Sequence, residues 1–134
     1  MEIEIKGIPY QTGKLNPFQQ LHVSRRLAPI LMSMGAAASV LLKTEDKGKF
    51  MEAVVSCLGP LAEAFASMPE EDVNYVLTLC LSVCTRAEGP GWQKVMPSPG
   101  HFQYADIDLA VMVQLVFAVV KDNLGNFTLG QPQQ

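Results

Sequence analysis

The sequence predicts a mainly α protein: a compact bundle of four to six helices around a central apolar C-terminal helix, with a short N-terminal β-hairpin or extended arm. Three observations carry this expectation. Across residues 107–120 only Asp108 and Gln114 interrupt an apolar run, and a helix reading that way has no wet face of ordinary width, so it must be covered nearly all round. At Asn16, Pro17 and Gln19 a good N-cap, a proline where no donor is needed and the third-position partner of a capping box stand in helix-start order. The opening MEIEIK alternates with the period of a half-buried strand.

Taken in order, residues 1–13 alternate, pass Gly7 and resume at 8–12, which reads as a hairpin or arm with Pro9 at an edge position. The arm packs on its own domain or exchanges between subunits. A helix then starts at Asn16 or Pro17 and meets Pro29, whose missing N–H and ring clash predict a kink or break. Residues 30–42 resume as helix, weakened at Gly35. Asp46 to Lys49 form a polar connection. Residues 50–66 read as one kinked helix or two short ones, interrupted at Gly59 and Pro60, with Pro60 opening a new turn. Pro69 followed by Glu70, Glu71 and Asp72 sets acids at the positive end of a helix dipole, and that helix runs on through Cys84. The stretch 85–103 carries Gly89, Pro90, Gly91, Pro97, Pro99 and Gly100, too many breakers for a long regular element. It reads as a loop bearing Trp92, with Val95 and Met96 as a short strand or apolar flap. Asp106 or Asp108 caps the last helix; Asn123, Gly125 and Asn126 suit the left-handed residue at its end. Residues 128–134 form a loose tail, and the whole of 1–134 is one domain.

Charged residues make up 17% of the chain and apolar ones 49%, against a usual charged share of about 25%. A membrane span takes roughly 20 apolar residues; the 107–120 run is shorter and flanked by Asp106, Asp108, Lys121 and Asp122. That helix belongs inside protein, and some of its cover is expected from another subunit or partner. The acidic start lacks the order of a secretion signal, which points to the cytoplasm. A net charge of −3 removes the electrostatic term behind most nucleic-acid affinity. Neither nucleic acid nor membrane is an expected partner.

Cys57, Cys80 and Cys84 sit among apolar residues and read as reduced thiols buried as small hydrophobes. Cys80 and Cys84 share a helix face, but the chain offers no second Cys pair and only His22 and His101 elsewhere, so no metal and no cofactor is expected. No phosphate loop, HExxH or nucleophile elbow occurs in the sequence, and His22 beside Ser24 reads as a helix-surface histidine. No catalytic residue is assigned. Arg25 and Arg26 offer a carboxylate clamp, set against separate surface contacts because adjacent helix residues point about 100° apart.

The segments KLNPFQQLHVSRRLAPIL, VNYVLTLCLSVCTRAEGPGWQKV and DIDLAVMVQLVFAVVKDNLGNF, in that order, resemble the small tail assembly chaperones of long-tailed bacteriophages. The most specific part is the apolar helix closing in KDNLGNF. The resemblance implies a non-catalytic helical protein that binds the aggregation-prone tape measure protein. It would keep that client soluble until tail tube subunits polymerise, then leave, so that it is absent from the finished virion. It further implies a homo-oligomer in the host cytoplasm, and a longer frameshift product that contacts the tail tube protein. A holdase must present apolar area, so the greasy composition suits it. Candidate partner-contact residues are Trp92, Val95 and Met96 on the loop, Leu124 and Phe127 past the last helix, and Arg25 with Arg26. The rival reading is a helical adaptor or regulatory protein whose apolar excess builds a homo-oligomer interface.

Overall fold

In the computed structural model, which describes residues 1–35, 41 and 43–124, the chain first reverses at Lys6 and Gly7. Both take positive φ, 54° and 79°, the two-residue turn whose twist matches paired strands. Strand β1 (Glu2–Ile5) therefore pairs antiparallel with β2 (Ile8–Thr12), Ile5 opposite Ile8. The hairpin does not end the sheet. Strand β3 (Cys84–Glu88) adds to β2 with Thr12 opposite Cys84, and β4 (Gly91–Lys94) adds to β3 with Glu88 opposite Gly91. The result is a four-stranded antiparallel sheet in the order β1-β2-β3-β4.

The fold is thus α+β, and the expectation of a mainly α bundle with a lone N-terminal hairpin is corrected. Gly89 and Pro90, read as breakers, are the two turn residues between β3 and β4, with Gly89 at φ 56°. Cys84 opens a strand rather than closing a helix. Pro9 lies on an inner strand, not an edge; it stands one residue before the pairing of β2 with β3 begins at Tyr10, so its absent N–H removes no bond from that ladder.

Five described helices complete the fold: α1 (Pro17–Met34), α2 (Lys47–Ser56), α3 (Leu58–Ala66), α4 (Glu70–Ser82) and α5 (Leu109–Leu124). Asn16 accepts from the Gln19 amide at 2.8 Å, and Gln19 returns the bond to the Asn16 amide at 2.9 Å. Helix α1 does not break at Pro29. Leu27, Ile30 and Leu31 are buried on both sides of it while Pro29 faces out, so packing holds the helix through the proline. The cost is local: the Arg25 carbonyl, four residues earlier, loses its helical donor. The expectation for 30–42 is met as far as Met34; residues 36–40 and 42 lie outside the described residues.

Asp46 caps α2 by accepting from the Lys49 amide at 3.0 Å, so the helix begins three residues before Phe50. The break with α3 falls at Cys57, and Gly59 and Pro60 sit inside the first turn of α3. Pro69 and three acids open α4 as read. Asp108 caps α5, accepting from the Val111 amide at 3.0 Å. Asp106 instead takes a bond from Arg86 at 2.9 Å, whose guanidinium stacks on Tyr104 at 4.0 Å. Tyr104 donates to Glu88 at 2.6 Å. That cluster ties the segment before α5 to the β3–β4 hairpin.

Helix α5 is the centre. Every residue of 113–120 is buried, Gln114 included. Strands β1 and β2 pack against it on one side, and α1, α2 and α4 cover the others. Phe117 meets Phe65 of α3 edge to face, centroids 6.1 Å apart. The far end of α5 holds the N-terminal arm. Asp122 accepts from Lys14 at 3.2 Å, from Thr12 at 3.2 Å and from the Met1 ammonium at 3.4 Å. Burial acts to raise its pKa, yet Lys14, the ammonium and the Thr12 hydroxyl hold it below the usual carboxylate range. The stability this adds is present above that range and is lost as pH falls through the lowered value.

Buried Asn123 accepts from the Leu15 amide at 2.8 Å and from Gln20 at 3.2 Å, and donates to the Gly13 carbonyl at 3.1 Å and the Val119 carbonyl at 2.9 Å. Replacing Asn123 by Ala strands the Leu15 N–H in the core. The expected loss is about 1–3 kcal/mol in urea unfolding, with faster amide exchange at Leu15. An unchanged exchange rate there would mean that Asn123 does not anchor the arm.

Candidate interaction face

Helix α1 carries two apolar faces. At 100° per residue, Val23, Leu27, Ile30 and Leu31 gather on one side and are buried. Phe18, Leu21, Arg25, Pro29 and Met32 fall on the opposite side, within a stripe roughly 80° wide and about 21 Å long, and all five are exposed. Phe18 is 77% exposed, Met32 72% and Leu21 57%. Single exposed hydrophobes are ordinary; an aligned set is not. Beside this ridge lies a cleft of about 520 Å³ lined by Leu21, Ser24, Arg25 and Ala28 of α1 and by Leu124 of α5.

The two arginines part company. Arg26 Nε donates to Asp72 at 3.1 Å, its Nη1 donates to the His22 carbonyl at 3.2 Å, and the guanidinium lies 4.1 Å over the Tyr75 ring. It locks α1 to α4. Arg25 points outward and among the described residues makes no ion pair. They do not converge into one clamp.

Among the loop candidates, Val95 and Met96 are core residues, 0% and 4% exposed. The Val95 amide donates to the Cys84 carbonyl at 3.1 Å and its carbonyl accepts from the Gln103 amide at 2.9 Å, so the returning chain folds them in. Trp92 stands opposite Ala87 on the outer hairpin, 38% exposed. Leu124 is buried, as the last residue of α5 at the cleft wall. Phe127 and the tail 128–134 lie outside the described residues. Available to a partner are Arg25 and Trp92 from the sequence reading, together with Phe18, Leu21 and Met32, which that reading passed over. The signal for these three was the near-heptad spacing 18, 21, 25, 29, 32, hidden by the expected break at Pro29.

A larger groove, about 800 Å³, runs between β1 and α2 with Ile3, Met51 and Val55 along it and Glu2, Glu4 and Glu52 around it. β1 is an edge strand, and charge along an edge discourages pairing with another chain.

The thiols are quiet. Burial raises the pKa of Cys80 and pushes Cys84 up to about 12, so both stay protonated at neutral pH. His22 meets Tyr75 edge to face at 6.3 Å, and Ser24 donates to the Leu21 carbonyl at 3.0 Å. Among the described residues no group of three His, Cys, Asp or Glu side chains gathers as a metal site. No described helix is long and apolar enough to cross a membrane.

A family model described as phage tail assembly chaperone protein, TAC, matches residues 6–131. No curated protein and no solved structure matches the chain.

Proposed function

The chain belongs to the phage tail assembly chaperone family, and from that membership we propose that it binds the tape measure protein and keeps it soluble until tail tube subunits polymerise around it. It acts without chemistry, in the cytoplasm of the bacterial host, and leaves before the virion is complete. A longer frameshift product would carry the contact to the tail tube protein.

The observation that supports this reading best is the outward ridge of α1. Full burial of a Phe, Leu or Met side chain is worth about 1.5–3 kcal/mol, so Phe18, Leu21 and Met32, which are 77%, 57% and 72% exposed and thus have about two full side chains left to bury, together offer on the order of 3–6 kcal/mol. Association costs about 4–15 kcal/mol. One copy alone therefore holds a client weakly and lets it go readily, while several copies on one long client gain by effective concentration. Weak, repeated, releasable contact is what a holdase that must give way to the tube requires.

Co-expression with the tape measure protein encoded nearby, followed by pull-down and light scattering of the soluble fraction, tests the reading. The tape measure protein should become soluble and elute with this chain. Persistent insolubility beside a well-folded small oligomer would instead favour a helical adaptor.

A further inference from the structure

We infer that the α1 ridge takes a helical segment of its client bearing a carboxylate among apolar residues, and that this carboxylate pairs with Arg25; the inference rests on the holdase reading above. The occupant is helical because the ridge is itself a helix surface, with side chains spaced three and four apart to interdigitate with another helix. An extended strand laid on it would bury its own N–H and C=O groups against α1, whose amides are engaged within the helix.

The charge comes from Arg25. It stands midway along the stripe, with Phe18 and Leu21 before it and Pro29 and Met32 after it. Covering the ridge takes that guanidinium out of water, which costs heavily unless an acceptor arrives with the cover. Arg26 is already matched by Asp72 and Tyr75, whereas among the described residues Arg25 has no acid. A planar guanidinium fork is best met by a carboxylate.

A second copy of α1 fits badly. Pairing two ridges about a two-fold axis sets Phe18 on Met32, Leu21 on Pro29 and Arg25 on Arg25. Parallel pairing in register also brings Arg25 against Arg25. Nor can α1 supply the acceptor, since no Asp or Glu occurs from Pro17 to Met34. Like charges at the centre select against self-pairing and leave the face to a partner of opposite sign.

The test compares wild type, Arg25→Lys and Arg25→Glu, each co-expressed with the tape measure protein, reading the amount of soluble complex. Circular dichroism and melting of the purified variants serve as the folding control. Arg25→Glu should lose on the order of ten-fold or more of the complex with folding unchanged, and Arg25→Lys, which keeps the charge but not the fork, should fall between it and wild type. If Arg25→Glu holds the client as well as wild type does, the carboxylate pairing is wrong while the holdase reading stands. If wild type itself fails to hold the client, the holdase reading falls and the inference falls with it.

Discussion

Replacing Phe117 by Ala is expected to lower the stability of this protein by about 3–5 kcal/mol, the usual cost of removing a large aromatic from a packed core. Phe117 is fully buried at the middle of α5, in edge contact with Phe65 and between residues that are themselves buried all round. The sheet lies on one side of this helix and three helices on the others. No neighbour is free to collapse into the space without leaving its own contacts, so the cavity stays largely open. For a chain of this length such a loss lowers the melting temperature by about 10–20 °C. Thermal unfolding followed by circular dichroism reads it directly. A loss under about 0.5 kcal/mol, the size of an ordinary surface change, would mean that α5 is not the centre of the fold.

The second large effect is on binding rather than stability. Phe18→Ser combined with Met32→Ser removes the two most exposed large apolar side chains of α1. Both face solvent, so the fold should change by no more than about 0.5 kcal/mol per site, and the purified variant should melt near wild type and aggregate less. Co-expressed tape measure protein should nonetheless stay insoluble. The two outcomes are separable. Collapse of the fold would show that this face is covered within the chain, and a soluble client with an intact fold would move the client site elsewhere, to the region of Trp92 for example.

What was legible in the sequence follows from which signals are local. The α5 helix is legible because an apolar run interrupted within it only at Gln114 before Lys121 needs no knowledge of its neighbours, and the capping box at Asn16 and Gln19 is complete within four residues. The second half of the sheet had no such signal. β3 and β4 are short and polar, TRAE and GWQK after Cys84, and are mostly half-buried or exposed; β3 is a strand because β2 offers it an edge, and β4 because β3 does. The same pairing buries Val95 and Met96, which beside prolines and glycines looked like an exposed flap. The candidate face suffered from the opposite error. A correct local rule, that proline breaks helices, was overridden by packing at Leu27, Ile30 and Leu31, and the outward stripe crossing Pro29 was lost with it. Helix geometry left Arg25 and Arg26 open between a clamp and separate contacts, and only Asp72 and Tyr75, far along the chain, decide which of them turns inward.

The pairing of Thr12 with Cys84 also bears on how the chain is made. As synthesis proceeds from the first residue, the β1–β2 hairpin emerges with Ile3, Ile5 and Tyr10 on its apolar face, and 72 residues must follow Thr12 before the partner strand exists. The helix that covers that face, α5, comes later still. Until β3 is made the nascent hairpin holds the open edge of β2, and until Leu124 clears the ribosome its apolar layer stays uncovered, the condition in which nascent chains associate wrongly. A protein proposed to shelter another chain from aggregation thus passes through an exposed stage of its own, covered only by the last helix to be translated in the described fold.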